Sequence, residues 1–116
     1  TIKIPGSVVF IGKRAFCNCT SLESIDIPSK VTKIEFNTFG GCTSLQKVNL
    51  PEKLVEINNS AFLGCSSLQS IDIPSKVSSI DSTVFKDCSS LQNVRIPETT
   101  KFYADAFPYT AVIEKY

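Results

Sequence analysis

Histidine is missing from this 116-residue sequence altogether, and no CxxC pair stands among its five cysteines. The first absence removes the usual base for a serine or cysteine nucleophile. Together they remove the ligand clusters on which a zinc site is built, and Cys17 and Cys19, one residue apart, are a poor start for one. The sequence therefore predicts no catalytic residue, no metal and no cofactor. Positive charge is not in excess either, since 12 Lys and Arg against 11 Asp and Glu leave a net charge of +1. Nothing forms the basic face that neutralises phosphates, so nucleic acid is not expected as a partner. No apolar run reaches the length of a membrane span, and no signal peptide is recognisable. The pair Gly40-Gly41 lacks the lysine and the spacing of a phosphate loop and reads as a tight turn before Cys42.

What the chain does contain is one stretch written twice. Ser21 to Val31 returns as Ser67 to Val77 with a single change, Glu23 to Gln69. Looser copies start at Leu45 and Leu91, and prolines fall at 5, 28, 51, 74 and 97, a constant step of 23. A period this strict marks an array whose units bury their apolar edges against each other, because one unit cannot enclose a core. Hydrophobic residues make up 42% of the chain and charged ones 20%, ordinary for a single globular domain spanning 1–116. The units divide as a partial repeat 1–21, full repeats 22–44, 45–67 and 68–90, and a degenerate repeat 91–116.

Aligning the units gives columns with physical meaning. Ile25-Asp26-Ile27 and its equivalents alternate with period two, pointing one side chain inward and the next outward as in a half-buried strand. Proline ends each strand because it lacks the N–H for a further ladder bond. Identical strands at a fixed step stack as a parallel sheet, continuous along one side, about 4.8 Å apart. Val31-x-x-Ile34 and its equivalents predict a second extended piece, and Ala15-Phe16 to Cys19 a single helical or 3-10 turn. Phe16, Phe39, Phe62 and Phe85 form the bulkiest apolar column and are expected in the core. Cys19, Cys42, Cys65 and Cys88 keep the same step and read as a ladder of reduced, buried thiols. Cys17 breaks that ladder and is expected at the surface.

Both ends depart from the pattern. Thr1 to Ile4 read as the tail of a strand whose beginning is missing, and Val8-Val9-Phe10-Ile11 are expected to face solvent unless further repeats or a second chain cover them. At the other end Thr100 replaces the usual valine, Ala106-Phe107 arrives one residue early, and Tyr103, Tyr109 and Tyr116 cluster with Phe102, Val112 and Ile113. Residues 97–116 are expected to cap the array with amphipathic aromatics.

The grammar Leu-x-x-Ile-x-Ile-Pro-x-x-Val-x-x-Ile-x-x-x-Ala-Phe-x-x-Cys, as in Leu22 to Val31 joined to Ile57, Ala61, Phe62 and Cys65, resembles the BspA-like leucine-rich repeats. These occur in surface proteins of host-associated bacteria and in protozoan parasites. The resemblance implies a mainly β, right-handed leucine-rich-repeat solenoid with a parallel sheet on one face and short turns or 3-10 segments opposite. It also implies a non-enzymatic role at the cell surface or outside the cell, with a host-cell or matrix protein or a glycan as partner.

The candidate binding face consists of the outward strand residues Ser24, Asp26, Lys47, Asn49, Ser70, Asp72, Asn93 and Arg95, with Thr1 and Lys3 continuing the two columns. This reading makes the face acidic at its middle and basic at both ends. A flat ladder spreads oxygens too widely for calcium, which wants six to eight within about 2.5 Å. No aromatic residue stands in these columns, so the usual hot-spot anchors are missing. A binding module is therefore set against a structural spacer that carries another domain. The sequons at Asn18 and Asn58 fit glycosylation only in a eukaryotic secretory route.

Overall fold

The computed structural model describes residues 2–116 and contains strands and turns but no helix. Among the described residues nine short strands follow one another: β1 (Ser24–Asp26), β2 (Lys33–Ile34), β3 (Lys47–Asn49), β4 (Glu56–Ile57), β5 (Ser70–Asp72), β6 (Ser79–Ile80), β7 (Asn93–Ile96), β8 (Lys101–Phe102) and β9 (Val112–Lys115). Every pairing is parallel. β1 pairs with β3 and β2 with β4, while β5, β7 and β9 form one three-stranded ladder and β6 pairs with β8. Register follows the sequence period, with Ile25 opposite Val48 and Ile71 opposite Val94. The chain is thus a β-solenoid in which each coil lays one three- or four-residue strand and one two-residue strand beside those of its neighbour.

The corner between the two strands is set by proline. Pro28, Pro51, Pro74 and Pro97 are buried, and each carbonyl accepts from the amide three residues on, at Val31, Leu54, Val77 and Thr100, over 3.0–3.2 Å. Proline thus ends the strand and opens the turn that follows it. Thr100, the exception in a column of apolar residues, is buried and donates its hydroxyl to the Val77 carbonyl at 2.6 Å. Its polar atom is satisfied within the stack.

Opposite the strands, the expected helical segment is a ribbon of successive turns. Its amides alternate between two duties. Ala15, Cys17 and Cys19 donate three residues back within their own coil, while Arg14, Phe16 and Asn18 donate to Phe36, Thr38 and Gly40 of the next coil. The same alternation recurs in the two coils that follow, where Phe39 donates to Ala61 and Phe62 to Val84. A helix would spend every amide on itself, so the inter-coil bonds exclude one. The path requires a left-handed residue before each cysteine of the ladder, and Asn18, Gly41, Gly64 and Asp87 have φ of 60°, 76°, 74° and 62°. Glycine, asparagine and aspartate are the residues that adopt this conformation at least cost. The turn expected at Gly40-Gly41 is one instance of the column.

The interior is a set of stacked identical side chains. Adjacent rings of Phe16, Phe39, Phe62 and Phe85 lie 5.4–5.5 Å apart and within 5° of parallel. Phe107 extends the stack, 5.4 Å beyond Phe85 and tilted by 30°. The early Ala106-Phe107 pair thus still reaches the column.

The ends differ from expectation. Thr1 lies outside the described residues, and Ile2 to Ile4 join no ladder. With no hydrogen bond from Ile2 to Ile4 to β1, Lys3 does not continue the outward column that begins at Asp26. Of the four apolar residues expected to face solvent, Val9 and Phe10 do so at 63% and 66% exposure, whereas Ile11 is buried and Val8 half-buried. At the other end Tyr103 and Tyr109 are exposed, at 73% and 98%. Coverage comes from Phe102, packed edge-on against Phe107, and from Tyr116, whose hydroxyl donates to the Ile73 carbonyl.

Truncating the middle of the phenylalanine stack tests this packing. Phe62 is fully buried between two rings, so Phe62→Ala is expected to cost about 3–5 kcal/mol. Phe62→Leu is expected to cost less, both read from urea unfolding.

Candidate functional site

Five strands of the solenoid turn their alternate residues outward on one face. In β1, β3 and β5 the middle residue is buried and its two neighbours exposed. Pairing places Ser24 beside Lys47 and Asp26 beside Asn49, and in the second ladder Ser70 beside Asn93 and Asp72 beside Arg95. All eight sequence-predicted residues are therefore exposed on the strand side. They form two groups of four, because β3 and β5 are adjacent but not laddered. The single continuous sheet expected from the period is interrupted there. Three-residue strands make few ladder bonds, and the coils are held at their spacing by the turn ribbon whether or not those bonds close.

Local partners modify the charge pattern. The Asn49 amide donates to the Asp26 carboxylate, so this acidic residue is engaged by the neighbouring coil. Arg95 is paired with Glu114, Nε to Oε2 at 3.2 Å, and its guanidinium lies 4.4 Å from the centre of the Tyr116 ring. The basic end expected at Arg95 is consequently neutralised. Both side chains of that ion pair are exposed to water, so it contributes at most about 1 kcal/mol. No three carboxylate, cysteine or histidine side chains among the described residues converge as a metal site requires.

The sequence period did not reveal β9. It pairs with β7 so that Val112 stands beside Asn93 and Glu114 beside Arg95, continuing both outward columns by one strand. These partners are 19 residues apart in place of the usual 23, which hid them from an alignment by period. The available signal was local, in the adjacent β-branched residues Val112 and Ile113. Val112 is 64% exposed, and with Tyr116 beyond it this end of the face carries apolar surface that the other strands lack.

The thiols are the remaining groups with chemistry of their own. All five are free. Cys42, Cys65 and Cys88 are buried, whereas Cys19, expected on the ladder, is only half-buried, since among the described residues no further full coil packs over its outer side. Cys17 is half-buried too and accepts a weak hydrogen bond from the Asn37 side-chain amide at 3.4 Å. In each buried position Sγ donates to the carbonyl of the phenylalanine in the preceding coil: Cys42 to Phe16 at 3.0 Å, Cys65 to Phe39 and Cys88 to Phe62 at 3.1 Å. A thiol donating in this way serves as a cross-coil strut and must keep its proton. Burial pushes Cys42 up from 9.0 to about 11 and Cys88 to about 12, and it pushes Cys65 strongly upward as well. Such thiols are poor nucleophiles at neutral pH.

The sign of the linkage follows. A folded-state value above the unfolded one gives stabilisation that is whole below about pH 9 and lost as pH rises towards about 11 to 12. Urea unfolding at pH 8 and pH 11 is expected to show a larger loss in the wild type than in a Cys42→Ala, Cys88→Ala double variant. That difference separates the thiols from lysine and tyrosine titration.

Comparison with known proteins agrees with this geometry. The model of the BspA type leucine rich repeat region matches residues 1–114 in six copies. Among solved structures, a leucine rich cell surface protein from Faecalibacterium prausnitzii superposes with a TM-score of 0.76 at 41% identity, covering 79% of this chain and 24% of that one. The leucine rich repeat protein of T. pallidum superposes with a TM-score of 0.72 at 32% identity, over 93% of this chain and 45% of its own. A pneumococcal vaccine antigen, PcpA, shares the fold at 17% identity, with a TM-score of 0.68 over 98% of this chain and 35% of that one. No curated protein sequence matches the chain. The chain spans less than half the length of these solved structures. With its coils, its columns and 114 of its residues all matching one repeat pattern, this chain belongs to the BspA-type leucine-rich repeat family.

Proposed function

We propose that this chain is a non-catalytic binding module of a protein displayed at the cell surface or secreted, presenting its strand face to a protein or glycan on a host cell or in its matrix. The observation that carries this reading is the gathering of Ser24, Asp26, Lys47 and Asn49 with Ser70, Asp72, Asn93 and Arg95 on one exposed side of the stack. The added strand β9 strengthens it, since Val112 and Tyr116 supply the apolar contact that the other strands lack. A cell-surface protein among the structural relatives supports the location. Among the described residues no helix is long and apolar enough to cross a membrane, so this segment is not itself a helical anchor. The exposed Val9 and Phe10 at the first coil offer a route to association with another solenoid.

The spacer reading keeps one observation in its favour. The core columns run the length of the chain irrespective of what the face carries, which is what a rigid stalk needs. Particles coated with the chain and applied to an epithelial monolayer distinguish the two. A variant with Asp26→Ala, Lys47→Ala and Asp72→Ala together, checked for an unchanged circular dichroism spectrum, is expected to lower adhesion at least about tenfold. Unchanged adhesion, or none by the wild type, favours the spacer.

A further inference from the structure

One step of the solenoid is fully bonded on only one side. Between the coil starting at Leu22 and the coil starting at Leu45, the strand side is closed by Gln46 N–H to Glu23 at 2.7 Å, Ile27 N–H to Asn49 at 3.0 Å and Val55 N–H to Thr32 at 2.8 Å. Between the coils starting at Leu68 and Leu91 the equivalent bonds recur: Gln92 to Gln69 at 2.9 Å, Ile73 to Arg95 at 2.7 Å and Lys101 to Ser78 at 2.9 Å. At the intervening step one of the three is weakened and two are missing. Gln69 to Gln46 is stretched to 3.4 Å, and neither Leu50 to Asp72 nor Ser78 to Val55 forms.

Both strand ladders break at this same step, β3 from β5 and β4 from β6. A shallow slot of about 150 Å³ lies over this step, lined by Lys47, Asn49, Leu50, Ser70 and Asp72 among others. A shallow depression of about 220 Å³ lies over the laddered strands β5, β7 and β9 too, so the missing bonds and not the slot mark the step. Leu50 is only half-buried, although Ile27, Ile73 and Ile96 of its column are buried. It is also the one member of that column without a β-branch, the feature that favours extended backbone.

The opposite side of the same step is intact. Phe62 and Phe85 stack at 5.5 Å with 1° between their planes, Cys88 donates to the Phe62 carbonyl at 3.1 Å, and the amides of Phe62 and Gly64 donate to Val84 and Lys86 at 3.0 and 2.8 Å. We propose that this step is a hinge, pivoting on the phenylalanine and cysteine columns and opening on the strand side, so that the exposed face is two plates, 24–49 and 70–115. A closed parallel sheet resists such bending because every strand is bonded to the next, whereas two packed elements joined along one edge can rock. The slot lies at the middle of the face, so rocking changes the separation of Asn49 from Asp72 and leaves that of Asp26 from Asn49 unchanged. The hinge does not depend on whether the face binds anything.

Amide hydrogen exchange resolved by NMR on the intact chain, together with ¹⁵N relaxation dispersion, tests the proposal. The amides of Leu50 and Ser78 are expected to exchange at least about tenfold faster than their counterparts Ile27, Ile73, Val55 and Lys101. Dispersion is expected to concentrate at Leu50, Gln69 and Ser70 and to be flat at Phe62 and Gly64. Protection of Leu50 equal to that of Ile73 overturns the proposal, because the ladder is then closed in solution. Fast exchange with flat dispersion at Gln69 and Ser70 overturns it as well, since the slot is then fixed and water-filled.

Discussion

Stacking of like upon like, at a fixed interval of chain, is the constraint on which this structure depends. A single coil has two strands of two to four residues and a ribbon of turns, none of which is stable alone. Each becomes stable only when its neighbours supply the partner for its amides, the ring for its phenylalanine and the carbonyl for its thiol. The parallel rings 5.4–5.5 Å apart set the interval on the far side. Strand ladders set it on the near side, at about 4.8 Å. Equivalent side chains stacked directly on one another fill the interior. Function is therefore confined to what the coils show outward.

The turn ribbon explains why the fold tolerates so little helix. Amides that alternate between their own coil and the next tie neighbouring coils together on the far side as the ladders do on the near side. That division requires left-handed residues at a fixed place, and the column Asn18, Gly41, Gly64, Asp87 supplies them. It also explains how the solenoid stays in register where the strand ladders part. The far side carries most of the register across the step at which β3 and β5 are unbonded.

Much of this was legible in the sequence because period and residue type say the same thing. The 23-residue step, the alternation around Ile25, the prolines and the phenylalanine column led to a parallel solenoid with its outward residues named, and all of those residues stand on the exposed side. Less legible were the features that depend on distances between coils. Strict repetition of Ser21 to Val31 as Ser67 to Val77 suggested one unbroken sheet, but whether a ladder closes depends on tenths of an ångström that no column records. β9 was hidden because its offset from β7 is shorter by four residues. The pairing of Arg95 with Glu114 and Tyr116 follows from that strand, so the charge at this end of the face could not be read without it. The half-buried state of Cys19 has a related origin, since its place on the ladder is periodic but among the described residues no further full coil lies over its outer side.

Excising one whole interval of chain tests the central claim most directly. Deleting residues 45–67 removes one coil and brings Ser44 to Leu68, so that Ser24-Ile25-Asp26 can pair with Ser70-Ile71-Asp72 and Phe39 can stack on Phe85. A solenoid held by register predicts a shortened chain with the wild-type far-ultraviolet circular dichroism shape and a cooperative, less stable urea transition. Deleting only residues 45–55 from the same place should instead abolish folding. A 45–67 deletion with no folded signal, or equal tolerance of both deletions, would contradict the account.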